Sequence, residues 1–438
     1  MAEDAELRWT PSVRIVDESD VIVVGGGIAG VCAACAAADM NQKVVLIERF
    51  ATLGGNGTNG GVSGFCGETK GQGKIFDEII ADLEKFKAIK KYFPAHSVFM
   101  RGRGYDQEIL ALILQEIVLR RNITLLLHTR FVGVQKEKNT ITHVIIYGKS
   151  GLEAIPCKYV VDCSGEAEVV HNAGFETMKG RESDGLQLPM SLIFFIRTKF
   201  PWNFRKKIPK QYFPWEPFRR RGDLPMISFS GNGYHSKGVK IKIPSYDSTE
   251  TIELTNAEIQ GRRKMMQVIE YYTSKQKRNW EYESCSPQIG IREGRRGLGK
   301  YVLTVEDVRA GREFNDAIAV GCFPLDAHDP ADDKRTYILN KKELHVPPYQ
   351  IPLRSLLAFN CPNLLMAGRT ISADQLALSS ARVMTTCAMT GQAAGTAIGL
   401  VLRENIDFET LLNEQIGKLQ NILKNGGTAL DLGAYSKN

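Results

Sequence analysis

The stretch "DVIVVGGGIAGVCAACAAADM" (20–40) leaves a chain few ways to fold. An apolar run ends in a glycine turn, passes into small helix-compatible residues, and is followed by a second apolar run, "KVVLIE" (43–48). This order is a βαβ unit, with Gly25, Gly27 and Gly30 at the turn and Glu48 closing the second strand 18 residues after Gly30. The first glycine allows a tight turn, the second lets backbone approach a pyrophosphate, and the third lets helix and strand pack closely. The helix entered at Ile28 and Ala29 offers free N–H groups and a positive dipole end to phosphates. Glu48, followed by Arg49, supplies an acceptor for ribose hydroxyls, so an adenine dinucleotide is expected here.

The next segment, "ATLGGNGTNGGVSGFCGETKGQG" (51–73), holds nine glycines in 23 residues. So permissive a loop is costly to order, and a floppy surface loop is the plain alternative. Its place directly after Glu48 argues for a second cradle, with the N–H groups of Gly54, Gly55 and Asn56 and the Thr58 hydroxyl around a pyrophosphate or ring. Amphipathic segments at 74–90 and 106–121 read as helices, and alternating β-branched runs lead to "CKYVVDCSGEAEVVHNAG" (157–174). Ser164 and Gly165 would then sit at the carboxyl end of a strand returning to the first sheet, where such sheets bind ligands. The expected fold class is α/β: a Rossmann-like domain with a mixed sheet and a small antiparallel layer, plus an inserted α+β substrate domain. The expected boundaries are 1–185, 186–344 for the aromatic- and proline-rich insertion, and 345–438 for the return.

The net charge of +7 is concentrated in part in "FRKKIPK" (204–210), "FRRRG" (218–222) and "GRRK" (261–264), interleaved with Trp202, Tyr212, Phe213, Trp215 and Phe218. Such a stretch can grip RNA or an anionic substrate, but solvated basic faces are commoner, so nucleic acid is the lesser expectation. No apolar run is long enough to span a membrane, and the acidic start lacks the pattern of a signal peptide. Nine unpaired-looking cysteines favour reduced thiols, so a cytoplasmic protein is expected, without metal-ligand spacing. Cys32 and Cys35 fall within the first helix and read as packing residues rather than a redox pair.

Four blocks, "VIVVGGGIAGVCAA", "LGGNGT", "QIGIREGRRGLGKYVL" and "MAGRTISADQLALSSARVMTTCAMTGQAAG", give the chain a resemblance over nearly its whole length. It resembles the FAD-dependent oxidoreductase family of the glutathione-reductase-like group, including the xanthan-lyase-like flavoproteins. The resemblance implies FAD, with Gly25, Gly27 and Gly30 at the pyrophosphate and Glu48 at the adenosine ribose. It places Gly54, Gly55 and Thr58 near pyrophosphate and ring, and Ser164 and Gly165 at a second cofactor-touching strand end. Gly368, Arg369 and the helix entered after Arg382 and Val383 would approach the ribityl chain and the pyrimidine edge. A helix N-terminus aimed there stabilises negative charge on the reduced ring. The chain departs from the family at Leu378, near which related sequences often carry a histidine; an aliphatic side chain cannot serve as a base.

A flavin enzyme needs side chains that bind, orient and exchange protons with a substrate. Arg292, Arg295 and Arg296 are candidate carboxylate clamps, and Arg354, preceding the flavin helix, is the preferred single one. His328 and His345 are candidate bases. These residues suit dehydrogenation of a C–OH or C–N bond of a small polar, possibly anionic substrate, with electrons passing to oxygen or a separate acceptor. Alternatives are reduction of an activated double bond, or a protein in which FAD is structural and the basic stretch binds nucleic acid. Association into a homo-oligomer is left open.

Overall fold

The computed structural model describes residues 10–90, 102–198, 216, 218–231, 236–276 and 278–435. Its first layer is the expected parallel sheet. Strand Ser19–Val24 pairs in parallel with Val44–Ile47 on one side and with the end of Gly151–Asp162 on the other. Thr124–Leu126 extends the sheet beyond Val44–Ile47, and Leu364–Met366 pairs with Val160–Asp162. The long strand Gly151–Asp162 does two jobs. Its first half pairs antiparallel with Thr140–Gly148, which pairs with Arg130–Glu137, so one strand joins the parallel sheet to the small antiparallel layer.

Two helices cross directly behind this sheet, Ile28–Asp39 and Met384–Glu404, both built almost wholly of buried residues. Glycines 391, 395 and 399 recur every four residues and so line one helical face. A Cβ on Gly391 would lie 2.1 Å from the Ala29 carbonyl, one on Gly395 2.1 Å from the Ala33 carbonyl, and one on Gly399 2.3 Å from Met40 Cβ. The backbones therefore touch. Cys32 and Cys35 are fully buried in the first of these helices, with thiols pushed up in pKa chiefly by burial.

The insertion is a four-stranded antiparallel sheet in the order Ile227–Gly231, Ser236–Ile243, Met190–Thr198, Trp280–Cys285. Alternation sorts its faces. Leu192, Phe194, Val239 and Ile241 pack with Ala257, Met265 and Val268 of helix Thr251–Glu270, so Ser191, Ile193, Lys240 and Lys242 belong to the opposite face. That face meets the glycine-rich loop, where a Cβ on Gly61 would lie 2.9 Å from Ile193 and from Ser286.

The insertion's own core ends at Ile291, short of the expected boundary at 344. Leu303, Val305, Val308, Ile318, Leu325 and Leu344 pack instead in the first domain's core, because strand Ala317–Gly321 pairs with Tyr349–Pro352 against it. Of the basic stretch, 204–210 with Trp202, Tyr212, Phe213 and Trp215 lies outside the described residues. Among the described part, Arg219 pairs with Glu216, Arg262 with Glu258 and Lys264 with Asp333. No helix among the described residues is long and apolar enough to cross a membrane.

Candidate active site

The three opening glycines divide the labour physically. Gly25 has φ +102°, and a Cβ there would lie 2.4 Å from the Cys163 carbonyl oxygen. A Cβ on Gly30 would strike the Gly25 carbonyl at 1.8 Å. Gly27 is different: its φ of −66° suits any residue, and a Cβ there meets no protein atom within 4 Å. Its side-chain direction is open space at a helix N-terminus that no side chain caps. Gly27→Val is therefore expected to unfold thermally with the cofactor-free wild type yet purify without cofactor, whereas Gly25→Val is expected to lose stability outright. Thermal unfolding of both, with the chromophore released on precipitation, checks the contrast.

Glu48 is buried, its carboxylate accepting from Gly26 N at 2.8 Å and Phe50 N at 2.9 Å, and burial raises its pKa. The second cradle lies alongside: Gly54 N donates to Gly26 O at 2.8 Å, and Gly54 and Gly55 both have positive φ. Two side chains here serve the loop itself. The Thr58 hydroxyl donates to Leu53 O at 2.7 Å, and Asn56 Nδ2 donates to Ile291 O at 2.7 Å. Arg49 pairs with Glu168 at 3.0 Å and approaches Glu166 at 3.7 Å.

At the end of the long strand, buried Asp162 accepts from Ser164 N and Oγ and from Val169 and Val170 N. Burial nevertheless pushes its pKa up to about 6. Gly165, at φ +83°, gives way to Arg369, whose guanidinium donates to Ile291 O. Glu166 is buried, and its Oε1 has no hydrogen-bond partner among the described residues. Gly368, at φ +76°, packs on Ala29, bringing the two crossing helices' N-terminal ends together. The helix Met384–Glu404 starts after Val383 with no side-chain cap, leaving its first N–H groups for a ligand.

Beside that N-terminus lies a cluster of charged groups. Arg382 pairs with Asp326 at 2.6 Å, and His328 Nε2 lies 3.0 Å from the same carboxylate. Arg292 is buried and donates through Nη1 to Pro189 O at 2.6 Å and Ser191 Oγ at 2.7 Å. Lys240 and Cys66 complete the group, and Thr385 Oγ1 donates to Cys66 O at 2.9 Å, tying the cluster to the helix. Burial, reinforced by Arg382, pulls Arg292 down to about 10; burial and Arg292 pull Lys240 down to about 8. Burial opposes the charge of Asp326, but His328, Arg382 and Arg292 outweigh it and hold the carboxyl far below its usual range. His328 is pulled down to about 4, mainly by burial, so its ring is neutral at pH 7. An ionised carboxylate only accepts, so Nε2 carries the ring's proton and Nδ1 keeps the lone pair. That Nδ1 is buried and has no hydrogen-bond partner among the described residues.

Sequence comparison decides which cofactor this turn serves. The profile described as FAD dependent oxidoreductase matches residues 20–423. The chain belongs to the FAD-dependent oxidoreductase family. Cinnamate reductase of Clostridium sporogenes is 38% identical over 91 residues, 21% of this chain and 13% of that protein. NADH:acrylate oxidoreductase of Vibrio harveyi is 41% identical over 67 residues, 15% of this chain and 7% of that protein. Leghemoglobin reductase of Glycine max is 30% identical over 142 residues, 32% of this chain and 24% of that protein, so these matches span a quarter or less of each relative. Among solved structures, BexE has a TM-score of 0.51 at 13% identity, covering 93% of this chain and 68% of that one. A triple mutant of the flavin-dependent brominase Bmp2 has a TM-score of 0.50 at 11% identity, covering 93% and 84%. At such identities these two share the fold alone.

The residues of this FAD oxidoreductase fit the cofactor: open space at Gly27, backbone N–H groups at two uncapped helix ends, and the unpartnered Glu166 Oε1 could all meet it. Of the six candidates for chemistry, Arg292 and His328 come together in one charged cluster. Arg354 does not. It makes a two-pronged pair with Asp316, at 3.0 and 3.1 Å, and stacks over Tyr301, so its fork is occupied by protein. His345 sits exposed after the turn at 341–344, away from that cluster. Arg296 is locked to buried Glu293 and to Gly180 O. Leu378 is fully buried in the core, where a histidine would need a partner.

Sequence reasoning missed Asp326 and Lys240. Asp326 stood two residues before a histidine already singled out. The alternation in "GVKIKI" (238–243), which sends two lysines to the face opposite a buried apolar one, was the signal for Lys240.

Proposed function

We propose that this FAD-dependent oxidoreductase oxidises a C–OH or C–N bond of a small anionic substrate bound at the cluster of Arg292, His328 and Asp326. The observation that carries the reading is His328: a neutral ring, held through Nε2 by Asp326, with a buried and unpartnered Nδ1 beside unpaired cations. Oriented in this way, an imidazole acts as a general base. The Gly25–Gly30 turn, Glu48, the Gly54–Gly55 loop, Gly165, Gly368, Arg369 and the N–H groups after Val383 would hold FAD, which when bound would supply the hydride acceptor. The protein does the rest. Arg292 fixes the substrate's carboxylate through the guanidinium edge left free by Ser191 and Pro189, and His328 Nδ1 takes the proton from the substrate's O–H or N–H. The electrons would pass on to oxygen or a separate acceptor.

The opposite direction, saturation of a double bond conjugated to a carboxylate, is favoured by local similarity to cinnamate reductase and NADH:acrylate oxidoreductase and uses the same cationic clamp. Anaerobic mixing separates the two. Oxidised protein mixed with hydroxy acids and amino acids is expected to lose the oxidised flavin band with at least one of them. If none bleaches it, while acrylate or cinnamate reoxidises the chemically reduced protein, the direction is reversed.

A further inference from the structure

The charges in the cluster do not balance. Arg382 is neutralised by Asp326, His328 is neutral, and the Cys66 thiol and the Tyr337 phenol, both raised in pKa, stay protonated. Lys242, from the same sheet face, is spent on the backbone carbonyls of Asp332 and Arg335. Two cations remain. Arg292 donates to a carbonyl and a hydroxyl but touches no carboxylate, and Lys240 makes neither hydrogen bond nor ion pair with any described residue. Buried and half-buried cations are found paired unless a ligand brings the counter-charge.

Their spacing is set by the inserted sheet. Arg292 is anchored on Ser191, which stands opposite Lys242, while Lys240 stands opposite Ile193. Ser191 and Lys240 are thus diagonal neighbours on one face, a relation that separates Cα atoms by about 7–8 Å. Arg292, through its anchor, and Lys240 therefore belong to neighbouring positions of one sheet face, so a single small molecule with two acidic groups can meet both.

We propose that the substrate is a dianion, a small molecule with an acid group at each end, one held by Arg292 and the other by Lys240. This rests on the cluster being the substrate site of the proposed oxidation and adds the substrate's class and its second clamp. The second acid is a carboxylate or a phosphate-type group, since both accept from an ammonium. The phosphates of FAD are not the counter-charge, because the cradle for them lies at the Gly25–Gly30 turn whereas both cations are held by the inserted sheet.

The test is calorimetric titration of the FAD-loaded protein with propionate, succinate and 3-phosphonopropionate, which share a two-carbon chain and differ at one end. Succinate or 3-phosphonopropionate is expected to bind at least about tenfold tighter than propionate. Whichever of the two binds tighter identifies the second acid. Lys240→Met is expected to bring the ratio near one with FAD content unchanged, and Lys240→Arg to keep it. Equal affinity of all three for the wild type overturns the proposal. So does loss of FAD from Lys240→Met with the ratio intact, which would assign the lysine to the cofactor. Should Lys240→Met fail to fold, the wild-type ratio and Lys240→Arg still decide. Failure of the oxidation reading looks different: a protein that keeps the dianion preference but is bleached by no hydroxy or amino acid retains this site and loses that chemistry.

Discussion

Gly395→Val is expected to destabilise the protein by more than about 3 kcal/mol, at the upper end of what overpacking costs, and to yield insoluble or FAD-free material. The first added carbon alone would lie 2.1 Å from the Ala33 carbonyl oxygen and 2.9 Å from Ala37 N. Both are backbone atoms of a buried helix and cannot swing aside, so the two helices would have to separate. Their crossing also sets the site. The helix Ile28–Asp39 carries the Gly25–Gly30 turn at its N-terminal end, and Met384–Glu404 presents its own uncapped end beside the charged cluster. Gly368 is wedged against Ala29 where these ends converge. Moving one helix thus displaces both groups of N–H donors. Gly417 is the control: a Cβ there meets nothing within 4 Å, so Gly417→Ala is expected to be neutral or to stabilise by up to about 1 kcal/mol. Thermal unfolding and the FAD content of the three proteins check the pair.

The features legible in the sequence are those whose cause is local. A strand, a glycine turn and a helix are neighbours along the chain, so the tight turn at Gly25 and the close helix packing at Gly30 can be read from spacing alone. Glu48 follows from the same unit. What could not be read depends on which distant segment a side chain meets. Arg354 has the residue type of a substrate clamp, and only the pairing of Ala317–Gly321 with Tyr349–Pro352 shows that Asp316 occupies its fork. His328 and His345 lie in one segment with equal claims, yet one is buried between Asp326 and Tyr337 and the other follows an exposed turn. The Thr58 hydroxyl, expected near the cofactor, spends its proton on Leu53 O within its own loop, a partner that spacing does not reveal. The boundary at 344 failed for a related reason: segments rich in aromatics and prolines suggested a separate unit, but Leu303 to Val320 bury their apolar side chains in the first core.

His328→Gln is expected to lower the rate of flavin reduction by substrate about 10²–10⁴-fold, the usual worth of a positioned general base, while FAD stays bound. An amide can still donate to Asp326, so the carboxylate keeps a partner and the Arg382 pair persists, but no basic nitrogen faces the substrate. A merely structural histidine would show its loss in FAD content and unfolding temperature instead. The pH profile of kcat/KM, which reports the free enzyme, supplies a second readout. His328 is depressed, so the neutral, basic ring predominates above about 4, and activity should fall as pH drops through that value rather than through an ordinary histidine's ~6.5. Lys240 is depressed as well, so its charge, and with it the second clamp, should fade as pH rises through about 8. Asp326 stays ionised and Arg292, near 10, stays charged throughout that window. The expected curve is therefore a plateau between about 4 and about 8 in the wild type. Lys240→Arg should extend its alkaline side, and His328→Gln should erase the acid limb along with most of the rate. An acid limb that survives in His328→Gln would assign the base to another group and remove His328 from the chemistry.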